Sequence, residues 1–209
     1  MGLLAGRAQA SPPAPVAPTS AKAGAPGGAA AAPAVSPQLG SNTLFFSSLG
    51  PGGSFQATGF CVNGPTGPCG GRFDEAASFV PAVSGRVTQI DVGVTHAVGT
   101  NAAVVKLAQD NGGVPGAVLG SWSIANQPTY GATCCATAIS ISPSISIGAG
   151  RTYWVIAVAG ASNTDDAFNW NYNGTSGTYA YSTNGTSWTL TGGPPGAFDV
   201  IGCSKLCKV

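Results

Sequence analysis

The chain has 209 residues, including 32 glycines and 16 prolines, and only 7% of its residues are charged. The formal net charge of +1 gives no electrostatic basis for binding nucleic acid or an anionic membrane surface, so we predict neither partner. No apolar run reaches the roughly 18 residues that a membrane-spanning helix needs, so we predict no transmembrane segment.

Residues 1–40 differ in composition from the rest of the chain. Ala, Pro, Gly and Ser dominate residues 11–40. Such a segment buries too little apolar surface to offset the entropy of ordering it, which predicts a disordered linker. Residues 8–10 (Ala-Gln-Ala) resemble a signal-peptide cleavage site after a short apolar segment, so a signal remnant and a chance match are both open. We predict a single domain over residues 41–209.

Three strands are predicted before residue 100. Residues 44–46 either begin the first strand or cover an edge of the domain. Residues 73–79 carry apolar side chains in strand phase, and Pro81 either ends that strand or marks an edge. Residues 90–94 alternate Ile or Val with Asp and Gly, and His96 follows in the apolar phase.

Residues 101–124 give the clearest strand signal. Apolar side chains alternate on both sides of an Asp-Asn-Gly-Gly turn at 110–113, whose residues tolerate positive φ or bond their own backbone. The alternating positions are Ala103, Val105, Leu107, Val118, Trp122 and Ile124. This pattern predicts two strands in a hairpin, with one face in a core.

The second half of the chain continues the β pattern. Residues 139–147 alternate Ile with Ser around Pro143, which predicts one edge strand broken by the proline or two short strands. Residues 153–158 are apolar on both faces, as in a central strand. Asn173-Gly174 and Asn184-Gly185 favour a pair of tight hairpins. Together these segments predict an all-β domain.

Three motifs occur in a fixed order along this domain. They are an Ala-Ser-Phe opening at 77–79, a D-x-x-G-x-P-G turn at 110–116 and a G-x-x-Y-W strand entry at 150–154. In this order they resemble the choice-of-anchor R type domains of exported bacterial proteins, many of which carry PEP-CTERM sorting signals. The resemblance covers roughly residues 73–201. It implies export and a jelly-roll-like antiparallel β-sandwich, and it brings no catalytic residues.

The chain departs from that family at its end. No apolar helix or basic tail follows Val200. A membrane or sorting anchor is therefore not expected, and the predicted location is the cell surface or the extracellular space.

Six cysteines, an even number, fit an oxidising compartment. The predicted pairs are Cys61 with Cys69, and Cys134 and Cys135 with Cys203 and Cys207. The first pair brackets a loop of turn-forming residues, whereas the others would join a mid-chain loop to the tail. The alternative for the last four is a zinc site, although adjacent cysteines hold one metal poorly compared with C-x-x-C spacing.

No catalytic motif is evident. The single histidine is His96, and neither G-x-S-x-G nor H-E-x-x-H occurs. The adjacent carboxylates Asp74 and Glu75 would point to opposite sides of an extended backbone, which disfavours a glycosidase pair. We predict that the protein is not an enzyme, with a hydrolase of unrecognised site as the distant alternative.

A structural calcium ion is the one cofactor that the sequence leaves open. Asn163, Asp165 and Asp166 lie in one loop, and Asp110 with Asn111 in another. Their oxygens suit calcium, but ordinary Asx-turn chemistry explains both clusters equally well. We predict no cofactor, with calcium in the 163–166 loop as the alternative.

Aromatic side chains beside Asn and Thr suggest a sugar-binding surface after residue 168. The candidate residues are Trp170, Tyr179, Tyr181 and Trp188. Burial competes with exposure, because a buried aromatic side chain gains roughly 1.5–3 kcal/mol, and Tyr179 and Tyr181 lie in the most polar strand. The leading function is a non-catalytic exported module that binds polysaccharide or a surface protein. The alternative is a purely structural accessory domain with no small ligand.

Overall fold

The computed structural model of the chain describes residues 42–160 and 164–204. Within these ranges the regular structure consists of strands, and no helix occurs. The described residues consequently include no helix able to cross a membrane. The predicted all-β class is confirmed, whereas the linker and signal remnant predicted over residues 1–40 lie outside the described residues.

The strands are β1 (Thr43–Ser47), β2 (Gly59–Asn63), β3 (Asp74–Phe79), β4 (Gly85–Val92), β5 (Val94–Val98), β6 (Ala102–Asp110), β7 (Pro115–Ala125), β8 (Thr137–Ile147), β9 (Tyr153–Ala159), β10 (Ala167–Asn171), β11 (Gly177–Ser182), β12 (Thr189–Gly193) and β13 (Phe198–Cys203). They form three antiparallel sheets. The large sheet has the order β12-β11-β3-β9-β6-β7, the four-stranded sheet β1-β13-β4-β8 and the three-stranded sheet β2-β10-β5.

One apolar core joins the three sheets. Val155 from the large sheet, Ile90 from the four-stranded sheet and Phe168 from the three-stranded sheet are all fully buried in it. The two smaller sheets meet at Gly93, between β4 and β5, whose N–H donates to the carbonyl of Ala197 at 2.8 Å. The architecture is therefore an antiparallel β-sandwich, with the large sheet as one layer.

Strand β9 is the central strand that its sequence predicts. All of its residues are buried, and it lies between β3 and β6. Tyr153, Val155 and Ala157 face the core, on what we call the inner face of the large sheet. Trp154, Ile156 and Val158 belong to a second apolar cluster on the outer face.

Residues 101–124 form the predicted hairpin, because β6 pairs directly with β7. The turn is closed by Asp110, whose Oδ2 accepts a hydrogen bond from the N–H of Gly113 at 3.0 Å. The prediction that Val118 shares the core phase is wrong. A register shift in the pairing of β6 with β7 leaves Val118 51% exposed, and Leu119 packs against the core instead.

Two further predictions concern the later strands. Residues 139–147 lie in a single strand, β8, at the edge of the four-stranded sheet, which is one of the two predicted arrangements. Asn184-Gly185 lies in the connection of the β11–β12 hairpin, as predicted. The hairpin predicted at Asn173-Gly174 is wrong: β10 pairs with β2 and β5, so this turn carries the chain from the three-stranded sheet to the large sheet.

Close packing around Trp170 gives a test of the fold. A Cβ on Gly196 would overlap the Trp170 ring, and this ring is buried with its Nε1 donating to the Ala197 carbonyl at 3.3 Å. We expect Gly196→Ala to lower the free energy of unfolding by about 1–3 kcal/mol, measured by urea denaturation.

The matched control is Gly192→Ala, because a Cβ on Gly192 would meet open space. This variant should stay within about 0.5 kcal/mol of the wild type. Equal stability of the two variants would contradict the packing at Trp170.

Candidate functional site

A groove crosses the outer face of the large sheet. Two hollows of about 380 and 610 Å³ share Asp74, Lys106 and Val158 as lining residues. We treat them as one surface, the outer groove. Val104 and Ile156 add to its apolar lining beside Val158. The groove therefore combines an apolar floor with charged side chains.

Three segments that are distant in the sequence line the sides of the outer groove. The loop closed by the Cys61–Cys69 disulfide contributes residues 63–65. The β6–β7 hairpin contributes residues 109–111 and 115–118, which lie in and beside its turn, and the β11–β12 connection contributes Trp188. The predicted Cys61–Cys69 disulfide thus closes the loop that lines one side of the groove.

Trp188 is the aromatic side chain of the outer groove. It is half-buried and packs against the outer apolar cluster. Its connection is held by local hydrogen bonds: Ser182 Oγ accepts from the N–H of Gly185, and Asn184 Oδ1 accepts from the N–H of Ser187, both at 2.8 Å. No acceptor within the described residues pairs with the Trp188 Nε1. The indole is therefore held in place at the side of the groove.

The charged side chains of the groove differ in how they are paired. Arg72 binds the carboxylate of Asp74 through Nε at 3.1 Å and Nη2 at 2.7 Å. Asp110 accepts hydrogen bonds on both oxygens, from Trp154 Nε1 at 2.8 Å and from the Gly113 N–H at 3.0 Å. Both carboxylates are thus oriented by the protein itself.

Trp170 does not contribute to a binding surface. Its side chain is 1% exposed, and its ring lies 6.1 Å from that of Phe198 in the core. The prediction that Trp170 contacts a ligand is wrong, because β10 lies in the middle of the three-stranded sheet and turns this ring inward.

Tyr179 and Tyr181 lie on the opposite side of the large sheet from Trp188. The pairing of β11 with β3 places both side chains on the inner face, where they are half-buried. The Tyr179 ring lies 4.3 Å from that of Phe60, and the Tyr181 ring 6.4 Å from that of Phe73. Of the four aromatic residues predicted to bind sugar, the structure therefore brings only Trp188 to the outer groove.

The predicted calcium loop is only partly described. Asn163 lies outside the described residues, Asp165 is exposed, and Asp166 is buried with its Oδ1 accepting a hydrogen bond from the N–H of Thr100. Over residues 42–160 and 164–204, no three His, Cys, Asp or Glu side chains are close enough to hold a metal ion. Calcium at 163–166 stays a prediction.

The predicted link between the mid-chain cysteines and the tail is wrong. Cys134 and Cys135 are exposed thiols with their Sγ atoms 2.6 Å apart, whereas Cys203 is disulfide-bonded. Cys135 lies two residues before Thr137, which pairs with Val92 at one end of β4, whereas Cys203 pairs with Arg86 near the other end. The stretch of β4 from Arg86 to Val92 spans roughly 20 Å, which is beyond the reach of a disulfide or a shared zinc ion. Cys207 lies outside the described residues.

His96 occupies the end of β5. Its Nε2 donates a hydrogen bond to the Gly99 carbonyl at 3.0 Å, and its ring lies 5.5 Å from that of Phe168. These contacts are those of a packed strand-end residue, away from the outer groove.

The burial of the Glu75 carboxyl was not predicted from the sequence. Asp74 lines the outer groove while Glu75 turns inward, so the two adjacent carboxyls point apart as predicted. Glu75 is 6% exposed, and its Oε2 has no hydrogen-bond partner. Burial, with the charge of Asp74 adding to it, raises the pKa of Glu75 from 4.5 to about 8. The available signal was its position in the strand, because Glu75 shares the phase of Ala77 and Phe79, which are in the core.

No protein-family model, curated protein or solved structure matches the chain. What the outer groove binds is therefore inferred from its own residues.

The Glu75 carboxyl predicts a specific dependence of stability on pH. Between pH 4.5 and 8 the folded state holds a proton that the unfolded state releases, so stability falls as pH rises through this window. We expect the free energy of unfolding to fall by up to about 1.4 kcal/mol per pH unit, measured by urea denaturation at a series of pH values. Glu75→Gln should flatten this slope.

The exposed Asp165 supplies the control, because Asp165→Asn should keep the wild-type slope. Burial also raises the pKa of Asp91, but that residue is unchanged in both variants. Identical slopes for the wild type and Glu75→Gln would show that Glu75 is ionised in the folded protein.

Proposed function

We propose that this protein is a non-catalytic module, exported to the cell surface or the extracellular space, that binds polysaccharide in the outer groove. The observation that carries the proposal is the half-buried Trp188 beside an apolar floor, with hydrogen-bonding side chains around it. A sugar ring presents an apolar C–H face and a rim of hydroxyls. An aromatic ring with nearby polar groups complements both.

The shape of the groove favours a chain over a compact ligand. The surface runs from the β11–β12 connection to β7, and β11 and β7 are four strand spacings apart in the sheet. At about 4.8 Å for each spacing this is roughly 19 Å. Such a length suits several linked sugar rings.

Two features support export. The Cys61–Cys69 disulfide is of the kind that persists in oxidising compartments outside the cytoplasm. The motifs at 77–79, 110–116 and 150–154 resemble those of exported bacterial domains. The second of these motifs contributes to the outer groove, so the resemblance and the proposed site share a segment.

The pairing of the carboxylates supports binding without catalysis. Asp74 is held by Arg72, and Asp110 by Trp154 and the Gly113 N–H. A glycosidase needs one carboxyl that gives up a proton and a second that acts as nucleophile or base. Carboxylates engaged by fixed donors fit a structural role in the groove.

Replacing Trp188 tests the site. We expect the wild-type chain to bind at least one polysaccharide in a glycan array, and Trp188→Ala to weaken this binding about tenfold in affinity electrophoresis, because the stacking surface is lost. Tyr130→Ala is the matched control, since Tyr130 is 49% exposed and lies outside the groove.

The other outcomes are also decisive. Loss of binding in Tyr179→Ala or Tyr181→Ala, with Trp188→Ala unaffected, would move the site to the inner-face tyrosines. A wild-type chain that binds no polysaccharide would favour the structural accessory domain.

A further inference from the structure

Lys106 differs from the other charged groups of the outer groove in having no partner. Its ammonium makes no ion pair or hydrogen bond with any residue in 42–160 or 164–204. The other three charged groups that line the groove are engaged: Arg72 and Asp74 pair with each other, and the carboxylate of Asp110 accepts hydrogen bonds from two N–H donors. Among the described residues, Lys106 is therefore the one charged side chain of the groove without a bonded partner.

The position of Lys106 is central. Among the described residues it is the only basic one that lines both hollows of the groove. In the large sheet it pairs with Ile156 on one side and with Ser121 on the other. Lys106 is half-buried and lines the groove together with Val104 and Val158.

The nearest negative charges lie at a distance. Asp110 is four residues along the same strand, which is about 13 Å at 3.3 Å per residue. Asp74 lies on β3, two strand spacings from β6 and two residues away from the position opposite Lys106, which is roughly 12 Å at the backbone. Neither carboxylate forms an ion pair with the Lys106 ammonium. A ligand anion would thus not have to displace an existing partner of Lys106.

We propose, on the basis of the polysaccharide-binding function above, that the ligand is an anionic polysaccharide and that Lys106 selects it. The ammonium of Lys106 pairs with a carboxylate or sulfate on one sugar, while the Trp188 ring packs against another. Because the groove is partly desolvated, a charge-assisted contact there gains more than the same pair on an open surface. A neutral polysaccharide would leave the ammonium unpaired.

Matched pairs of polysaccharides isolate the charge. The probes are polygalacturonate against its fully methyl-esterified form, and dextran sulfate against dextran, with the full-length chain in affinity electrophoresis at low and high salt. We expect the wild type to bind at least one anionic member of these pairs more tightly than its neutral counterpart. The pair that responds identifies the group as carboxylate or sulfate.

Three variants assign the selectivity to Lys106. Lys106→Gln should weaken binding of the anionic probe about tenfold and leave any binding of the neutral probe unchanged. Lys106→Arg should retain most of the affinity. Arg86→Gln removes an exposed charge from the four-stranded sheet, outside the groove, and should bind as the wild type does. Thermal melts check that each variant is folded.

The results separate this inference from the proposed function. Equal binding of neutral and anionic probes, lost in Trp188→Ala and kept in Lys106→Gln, would overturn the role of Lys106 and leave polysaccharide binding in place. An equal loss in Arg86→Gln and Lys106→Gln would indicate general charge attraction and overturn it too. Absence of binding to every polysaccharide would overturn both.

Discussion

Strand β9 is buried on both of its faces, and the rest of the structure depends on this. A strand with Val155 and Ala157 on one side and Trp154, Ile156 and Val158 on the other must be covered twice. The inner face is covered by the two smaller sheets through the common core. The outer face is covered by Val104 and Trp188, which pack against its buried side chains. The outer groove is the space that remains over this second apolar surface.

The fold was predictable where the pattern was local. The β6–β7 hairpin and the central strand β9 follow from alternation and from apolar residues on both faces, and the single edge strand β8 is one of the two arrangements that Pro143 left open. The wrong predictions are those in which a single position changes the face that a side chain occupies or the strand to which a turn leads. A register shift turns Val118 outward, and the Asn173-Gly174 turn joins two sheets rather than two paired strands. Neither event leaves a mark in residue composition.

The candidate site was predictable only through Trp188. Trp170, Tyr179 and Tyr181 are close to Trp188 in the sequence, but they point into the core or toward the inner face. The groove draws on the disulfide loop, the β6–β7 turn, the β11–β12 connection and the middle of β6. No window of sequence contains these segments together. In the sequence, Lys106 is one polar residue on the less apolar face of a strand. That its ammonium lacks an ion-pair partner among the described residues can be seen only in the folded structure.

The β6–β7 turn has a consequence for how this molecule can diversify. Its first residue is anchored, because Asp110 holds both Trp154 and the Gly113 N–H. Of the residues that follow, Asn111 and Gly112 are exposed, and Gly113 and Val114 are half-buried. Changes of length or side chain there would alter the width of the groove without disturbing the sandwich. The exposed part of this turn is therefore where the groove can vary while the sandwich stays intact.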